Sequence, residues 1–132
     1  MTNIILPKTR IDKIDLPVIF LAGPIRGAPR WHDRALEFLD KQEGIYVASP
    51  SVMLRREYLD RALKSDEVFL HQLDWETHYL EIASKKGSIL FWLPNQVEEM
   101  PINQKTGFYE PYARDTRPEL GGYGWGALRY DN

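Results

Sequence analysis

Three short apolar runs, separated by stretches of helical periodicity, constrain the fold of this chain more than any other feature. Val18–Ala22 and Ser88–Leu93 are almost wholly apolar, and Ile45–Ala48 is a shorter run that ends before Pro50. Continuous rather than alternating apolarity is typical of strands that are covered on both faces, as in a parallel sheet. The alternation of strand, helix, strand, helix and strand predicts an α/β fold with a parallel sheet.

Helical spacing and helix-ending residues predict four helices around these runs. They cover Trp31–Lys41, residues 51–65, Asp66–Ser84 and, with many glycines, Thr116–Leu128. The third has the clearest amphipathic pattern. The residues that we assign to its apolar stripe are Phe69, Leu73, Leu80 and Ala83. By the same period, Glu76 falls within the stripe and Asp74 lies on its flank.

The domain organisation predicted from this pattern is a short arm followed by one domain. Residues 1–16 mix isolated apolar residues with charges and show no period, which favours an N-terminal arm. Residues 17–132 then form a single domain of ordinary size. A sheet of this kind commonly has another strand after the last helix, so the sequence leaves open whether the domain lacks a final strand.

Composition excludes several classes of protein. Seventeen basic and nineteen acidic residues leave a net charge of −2, which does not favour nucleic acid or an anionic membrane as a partner. The chain has no cysteine, which excludes a disulfide framework, a thiolate zinc site and a cysteine nucleophile. The apolar runs are far shorter than the roughly 20 residues of a membrane span, and the first residues lack a signal pattern. We therefore expect a cytoplasmic protein.

Three loops follow predicted strands, at the edge where parallel sheets bind ligands: Gly23–Arg30, Asn95–Asp115 and the short stretch after Ala48. The first, Gly23–Arg30, contains Gly-Pro-Ile-Arg-Gly, in which glycines allow a ligand to approach the backbone and Arg26 supplies a cation. A tight turn without a ligand explains the same residues. The second is Asn95–Asp115. Residues 94–114 contain three prolines, a glycine and no period, and they are long for a plain connection.

The segment Thr116-Arg-Pro-Glu119 also has two interpretations. It fits a capping box, with Thr116 as the N-cap and Glu119 three residues later. Four glycines follow within six residues, a pattern that close approach by a ligand would explain. Carboxylates on two helices near strand ends fit glycosidic chemistry, in which one is the nucleophile and the other assists the leaving group. Both interpretations stay open on local sequence.

A metal site is not predicted. His71, Asp74 and His78 share one face of the predicted helix, but residues seven apart are separated by about 10 Å along a helix axis. One ion could not easily bind both histidines. We expect neither a metal nor an organic cofactor.

Three motifs, in order, resemble the nucleoside 2-deoxyribosyltransferase superfamily, which includes relatives that hydrolyse 2′-deoxynucleoside 5′-monophosphates. They are Phe20-Leu-Ala-Gly-Pro-Ile-Arg-Gly27, Leu70-His-Gln-Leu-Asp-Trp-Glu76 and Asp115-Thr-Arg-Pro-Glu-Leu-Gly121. The resemblance implies a doubly wound, flavodoxin-like sheet sandwiched by helices, and a homo-oligomer. It also implies a nucleoside or nucleotide substrate whose N-glycosidic bond is cleaved or transferred.

The resemblance implies roles for individual residues. Glu119 would be the nucleophile that forms a glycosyl-enzyme at C1′. Asp74 would orient the substrate or assist proton transfer to the departing base, with Glu76 as the second choice. Residues expected to bind substrate lie in and around the motifs: Phe20, Gly23, Pro24, Ile25, Arg26, Gly27 and Asp115. Further candidates for contact with the base are Tyr109, Tyr112 and Trp125.

Departures from the family pattern favour an alternative function. Phe20 stands where relatives often have tyrosine, so a hydroxyl that could bond the nucleophile is missing. Pro24 replaces a serine that is typical of the monophosphate hydrolases, a departure that argues against recognition of a 5′-phosphate rather than against catalysis. The alternative is a non-catalytic nucleotide-binding or sensing module of the same fold.

Overall fold

The computed structural model describes residues 2–65 and 67–112. Within these residues lie four strands: β1 (Asn3–Ile5), β2 (Val18–Ala22), β3 (Tyr46–Ala48) and β4 (Gly87–Phe91). The same residues contain three helices: α1 (Trp31–Leu39), α2 (Arg56–Arg61) and α3 (Gln72–Lys86). The chain divides into two compact units. We call residues 2–21 with Arg30–Leu90 the core unit, and Ala22–Pro29 with residues 91–112 the loop unit.

The four described strands form one parallel sheet in the order β1-β3-β2-β4. Tyr46 of β3 is level with Asn3 on one side and with Val18 on the other. Helix α1 lies in the connection from β2 to β3, and helices α2 and α3 lie in the connection from β3 to β4. Such helical crossovers are what parallel strands require. The predicted α/β fold with a parallel sheet is confirmed.

The segment predicted as an N-terminal arm contributes strand β1 to the sheet. Ile4 and Ile5 are fully buried, although isolated apolar residues among charges gave no periodic signal. Just before the strand, the backbone N–H of Thr2 donates to Asp40 Oδ1 over 3.0 Å, and its hydroxyl donates to the carbonyl of Leu39 over 2.8 Å. These bonds attach the first described residue to the end of α1.

The longest helix begins at Gln72, not at Asp66 as predicted. Val68 forms an antiparallel bridge with Thr9, and the N–H of Phe69 donates to the carbonyl of Lys8 over 2.9 Å. Because residues 68 and 69 pair with the arm, their backbone groups are not available to a helix. The helical spacing of apolar residues therefore extends, at residues 68 and 69, into a segment that is not helical.

The helix predicted over residues 51–65 is likewise shorter, because α2 covers only Arg56–Arg61. Side chains bind the backbone donors that precede it. The N–H of Met53 donates to Ser51 Oγ over 3.2 Å, and the N–H of Arg55 donates to Asp33 Oδ1 over 2.9 Å. Serine and aspartate side chains compete in this way with helical hydrogen bonds.

The core of the sheet is filled by an aromatic cluster from β2 and α3. Trp75 and Tyr79 are fully buried, and the ring of Trp75 lies 5.7 Å from that of Phe20 and 5.3 Å from that of Tyr79. The Tyr79 hydroxyl donates to the carbonyl of Thr9 and accepts from the N–H of Ile11, each over 3.0 Å. Its polar end therefore fixes the arm while its ring packs in the core.

The apolar stripe of α3 is offset from the predicted one. The buried residues of the helix are Trp75, Tyr79, Leu80 and Ala83. Leu73, which we assigned to the stripe, is 71% exposed, and Phe69 precedes the helix. The aromatic pair Trp75 and Tyr79 determines which face is buried, because large rings bury more apolar area than leucine.

Helix α1 buries a histidine at its first turn. His32 is 3% exposed, its ring lies 3.9 Å from that of Trp31, and its Nε2 has no hydrogen-bond partner among the described residues. Burial lowers the pKa of His32 to about 4, so it is neutral in the folded protein at pH 7. Phe38, at the other end of the helix, is 68% exposed.

Gly87 joins α3 directly to β4. The helix ends at Lys86 rather than at the predicted Ser84, with Lys85 and Lys86 in its last turn and a glycine after them. A Cβ atom at residue 87 would collide with the backbone of Val18, so a glycine is required where β4 meets β2. No helix in the described part of the chain is long and apolar enough to cross a membrane.

Candidate functional site

The carboxyl ends of β2 and β4 are adjacent, and two of the three loops predicted to bind a ligand leave from them. The N–H of Trp92, just after β4, donates to the carbonyl of Ala22, the last residue of β2, over 2.9 Å. The connection from β2 leads to β3 on one side, whereas β4 lies on the other side. The strand order reverses at this point, and open α/β sheets bind ligands at such points.

The first predicted ligand loop, Gly23–Arg30, is built on a tight turn. The N–H of Ala28 donates to the carbonyl of Ile25 over 3.4 Å, and Gly27 has φ of +76°. A positive φ at the third residue is typical of a type II turn, which favours glycine there. Arg26 is exposed at the tip of the turn, whereas Pro24 is buried. The turn therefore presents one cation to solvent.

A segment of the long loop is attached to this turn at Gly27. The Gly27 carbonyl accepts hydrogen bonds from the N–H groups of Val97 (2.7 Å) and Glu98 (3.2 Å). A Cβ atom at residue 27 would lie 3.0 Å from the Glu98 carbonyl oxygen and from Met100 Sδ, and 3.3 Å from the ring of Tyr112. The close approach that we predicted for a ligand is made at this position by the chain itself.

The middle of the long loop forms a small hairpin, which the sequence pattern did not predict. Ile102 and Tyr109 form an antiparallel bridge, and Gly107 turns the chain with φ of +74°. Asn103 organises the turn, since its Oδ1 accepts from the N–H of Lys105 over 2.8 Å and its Nδ2 donates to Glu110 Oε1 over 2.8 Å. An Asn side chain that bonds to backbone two residues on is a recognised turn device.

The two tyrosines predicted to contact a base lie in different environments. Tyr112 is half-buried, and its hydroxyl donates to the carbonyl of Pro94 over 2.7 Å. Burial raises the pKa of Tyr112. Tyr109 is 57% exposed, and its hydroxyl lies 3.4 Å from Glu99 Oε2. Tyr112 is thus brought together with Gly27, and Tyr109 remains open to solvent.

The acidic residues predicted on α3 differ in burial as their spacing suggests. Asp74, in the first turn, is exposed. Glu76 is half-buried, and its Oε1 lies 3.4 Å from Gln72 Nε2. Phe20 is 1% exposed and packs on Trp75, so its ring lies in the core rather than at a surface.

Three predicted site residues, Asp115, Glu119 and Trp125, lie outside the described residues. Among the residues predicted for the site, the described structure places the ring of Tyr112 beside Gly27. Met100 and the backbone of Val97 and Glu98 were missed. No sequence signal marks them beyond the length of their loop.

No group of three or more histidine, aspartate or glutamate side chains that could hold a metal ion occurs among residues 2–65 and 67–112. His78, one of the residues considered for such a site, packs its ring 5.2 Å from that of Phe69 and 4.9 Å from that of Tyr79. Burial, followed by the charge of Arg10, lowers the pKa of His78. The imidazole of His78 therefore packs against aromatic rings next to the arm.

Comparison of the chain with protein-family models, with curated proteins and with solved structures finds no match.

Proposed function

We propose that this protein cleaves or transfers the N-glycosidic bond of nucleosides or nucleotides, 2′-deoxy ones in the first instance. One observation carries the proposal. The motif Phe20–Gly27, which resembles the nucleoside 2-deoxyribosyltransferase superfamily, runs from β2 into a loop at the point where the strand order reverses. Ligands bind at such points in open α/β sheets. The other two motifs follow in the order that the resemblance requires.

The strand order supports the finer fold that this proposal needs. Without β1, the order β3-β2-β4 corresponds to the 2-1-3 beginning of flavodoxin-like sheets. Crossovers between parallel strands are almost always right-handed. Because the crossovers from β2 to β3 and from β3 to β4 run in opposite directions along the sheet, right-handedness would place α1 and α3 on opposite faces. We propose this doubly wound arrangement.

In the proposed mechanism, a carboxylate oxygen of Glu119 attacks C1′ as the C1′–N bond breaks. The base leaves with the electron pair of that bond and takes a proton, with Asp74 or Glu76 assisting. In the second step, water or an incoming base bonds to C1′, loses a proton, and releases the Glu119 carboxylate. Water gives a hydrolase and a base gives a transferase. No metal or organic cofactor is needed for these steps.

The decisive experiment is a chromatographic assay of free base released from the common deoxynucleosides, ribonucleosides and their 5′-monophosphates. Each substrate is tested with and without a second base as acceptor. We expect release or exchange in the wild type, a loss of about 10³-fold or more in Glu119→Ala, and no change in the control Glu43→Ala, which removes an exposed carboxylate. Activity near the wild-type rate in Glu119→Ala would reject the nucleophile.

The same assay separates the roles of other residues. Asp74→Asn and Glu76→Gln identify which acid assists the base. Arg26→Ala should weaken the binding of 5′-monophosphates about tenfold and change the binding of nucleosides little, because the proposed role of Arg26 is to bind phosphate. Arg56→Ala, whose side chain is 87% exposed, is the control for loss of a surface cation. Equal losses for both substrate classes in Arg26→Ala would indicate a structural role.

A second candidate function is a nucleotide-binding or sensing module without catalysis. Phe20 favours it, since this buried ring has no hydroxyl to bond a nucleophile. A module should bind a nucleotide, raise its own melting temperature, and return the ligand intact. The base-release assay distinguishes the two functions directly.

The proposal includes a cytoplasmic homo-oligomer. Large apolar side chains are exposed in the loop unit, among them Trp92 (52%), Ile102 (51%) and Phe108 (76%). Clusters of such side chains often mark contacts between proteins. Sedimentation of the purified protein as a single monomeric species at micromolar concentration would reject this part of the proposal.

A further inference from the structure

Gly27 differs from two other glycines of the same backbone conformation in what surrounds it. Gly27, Gly44 and Gly107 have φ of +76°, +76° and +74°. A Cβ atom at residue 44 or 107 would meet no described atom within 4 Å. At residue 27 it would meet Met100 Sδ and the carbonyl oxygen of residue 98, both at 3.0 Å. The turn alone explains Gly44 and Gly107, whereas Gly27 also makes room for a neighbouring segment.

No residue of that neighbouring segment, Val97–Tyr112, is buried. Val97 is 61% exposed, and Phe108 at the hairpin is 76% exposed. Its contacts at Gly27 combine the hydrogen bonds from the N–H groups of residues 97 and 98 with the side chains of Met100 and Tyr112. Segments with little buried apolar surface open at a small free-energy cost. Loss of one such attachment therefore has a large effect on whether the segment stays in place.

We propose that Val97–Tyr112 is a lid fastened to the ligand loop at Gly27, and that it holds Arg26 in position for the substrate. Arg26 is the preceding residue of the same turn, so the direction of its side chain depends on how peptide 27 is held. Met100 and Tyr112 are then positioning residues that act through the loop. This role rests on the proposed function. Because coupling is reciprocal, a ligand bound by Arg26 also stabilises the docked lid.

The attachment is tested first without any activity. Lys105 is exposed in the lid, so trypsin cleavage after it, followed by mass spectrometry, reports lid opening. Gly27→Ala is compared with Gly44→Ala, which introduces the same methyl group at the same φ into open space. We expect cleavage about tenfold faster in Gly27→Ala than in the control, since proteolysis follows the open population. The double variant Gly27→Ala with Met100→Ala should recover part of this difference. Equal cleavage rates in the two glycine variants would overturn the proposal.

The positioning role is tested on a substrate that the wild type turns over. We expect Gly27→Ala to raise KM about tenfold and to change kcat less than about twofold, because the loop contributes to binding more than to the chemical step. If Gly27 were only structural, Gly27→Ala would have the same KM as Gly44→Ala. That result would overturn the positioning role, but it would not contradict the proposed reaction.

If the wild type releases no base, the proposed reaction fails. The lid is then tested by whether a bound probe protects the chain from trypsin cleavage after Lys105. The probes are the four common 2′-deoxynucleosides and their 5′-monophosphates. Slower cleavage after Lys105 in the wild type with any probe, absent in Gly27→Ala, would support the lid in a binding module. Cleavage unchanged by every probe would overturn it.

Discussion

The core unit and the loop unit are each stabilised internally, and the kind of contact that stabilises one differs from the kind that stabilises the other. In the core unit, side chains such as Trp75, Tyr79 and Phe20 are almost completely removed from water. In the described part of the loop unit, backbone hydrogen bonds at Gly27 and the side chain of Asn103 make the main connections. Burial supplies most folding free energy, whereas an exposed hydrogen bond contributes little net. The comparison teaches that the candidate ligand loop belongs to the less strongly stabilised region.

The largest expected effect is in the aromatic cluster of the core unit. Trp75→Ala removes a fully buried ring that contacts Phe20 and Tyr79, and should lower the free energy of unfolding by about 3–5 kcal/mol. Urea unfolding followed by far-UV circular dichroism measures this loss. Leu73→Ala, two residues earlier and 71% exposed, is the matched control, with an expected change under about 0.5 kcal/mol. Similar losses in both variants would contradict the observed stripe of α3.

A smaller effect on the core unit comes from acid. The pKa of His32 is lowered to about 4 by burial, so the unfolded chain takes up a proton that the folded one does not. Stability contributed in this way is complete above pH about 6.5 and is lost as the pH falls toward about 4. Between pH 7.5 and pH 5 we expect a loss of about 2 kcal/mol, measured by urea unfolding.

The histidine responsible is identified by substitution. His32→Leu should reduce the pH dependence in this window to what His78, whose pKa burial also lowers, contributes. His71→Gln, which replaces an exposed histidine, should leave the pH dependence as in the wild type. An unchanged slope in His32→Leu would show that the buried imidazole is not its source.

The smallest expected effect is on the hairpin of the loop unit. Asn103→Ala removes bonds to the N–H groups of Lys105 and Thr106 and to Glu110 Oε1. We expect about 1 kcal/mol of local destabilisation, seen as hydrogen exchange about fivefold faster at the amides of the hairpin. The amides of α3 should exchange as before. A loss of global stability as large as that of Trp75→Ala would mean that the two units unfold together.

The sequence predicted strand β2 better than the helix ends, for a physical reason. Strand β2 was predicted over its observed range, Val18–Ala22, because a buried strand must be apolar at every position. Strand β4 covers Gly87–Phe91 rather than Ser88–Leu93 and is not covered on both faces as predicted, since Leu90 is 39% exposed. The start of α3 was wrong because residues 68 and 69 pair with the arm, a contact between segments about 60 residues apart. Periodicity within a segment has no information about a distant partner. Strand β1 was missed because three residues are too few to show a period.

The candidate site was predictable only where its chemistry is local. The turn at Gly27 follows from Gly-Pro-Ile-Arg-Gly, and the relative burial of Asp74 and Glu76 follows from their spacing. The attachment of Met100 to Gly27 could not be predicted, because the contact joins residues far apart in the chain and uses backbone groups that every residue has. The proposed nucleophile, Glu119, stays a prediction.

The hydrogen bonds of the Tyr79 hydroxyl to Thr9 and Ile11 have a consequence for how the protein folds during synthesis. These partners are separated by 70 and 68 residues, so the arm cannot reach its final place until Tyr79 has left the ribosome. At about 5–20 residues per second, the segment around Thr9 and Ile11 waits for several seconds without these partners. Contacts of such long sequence separation also slow the search for the native state. This segment is thus made well before the residue that secures it, and in the meantime it needs protection from aggregation.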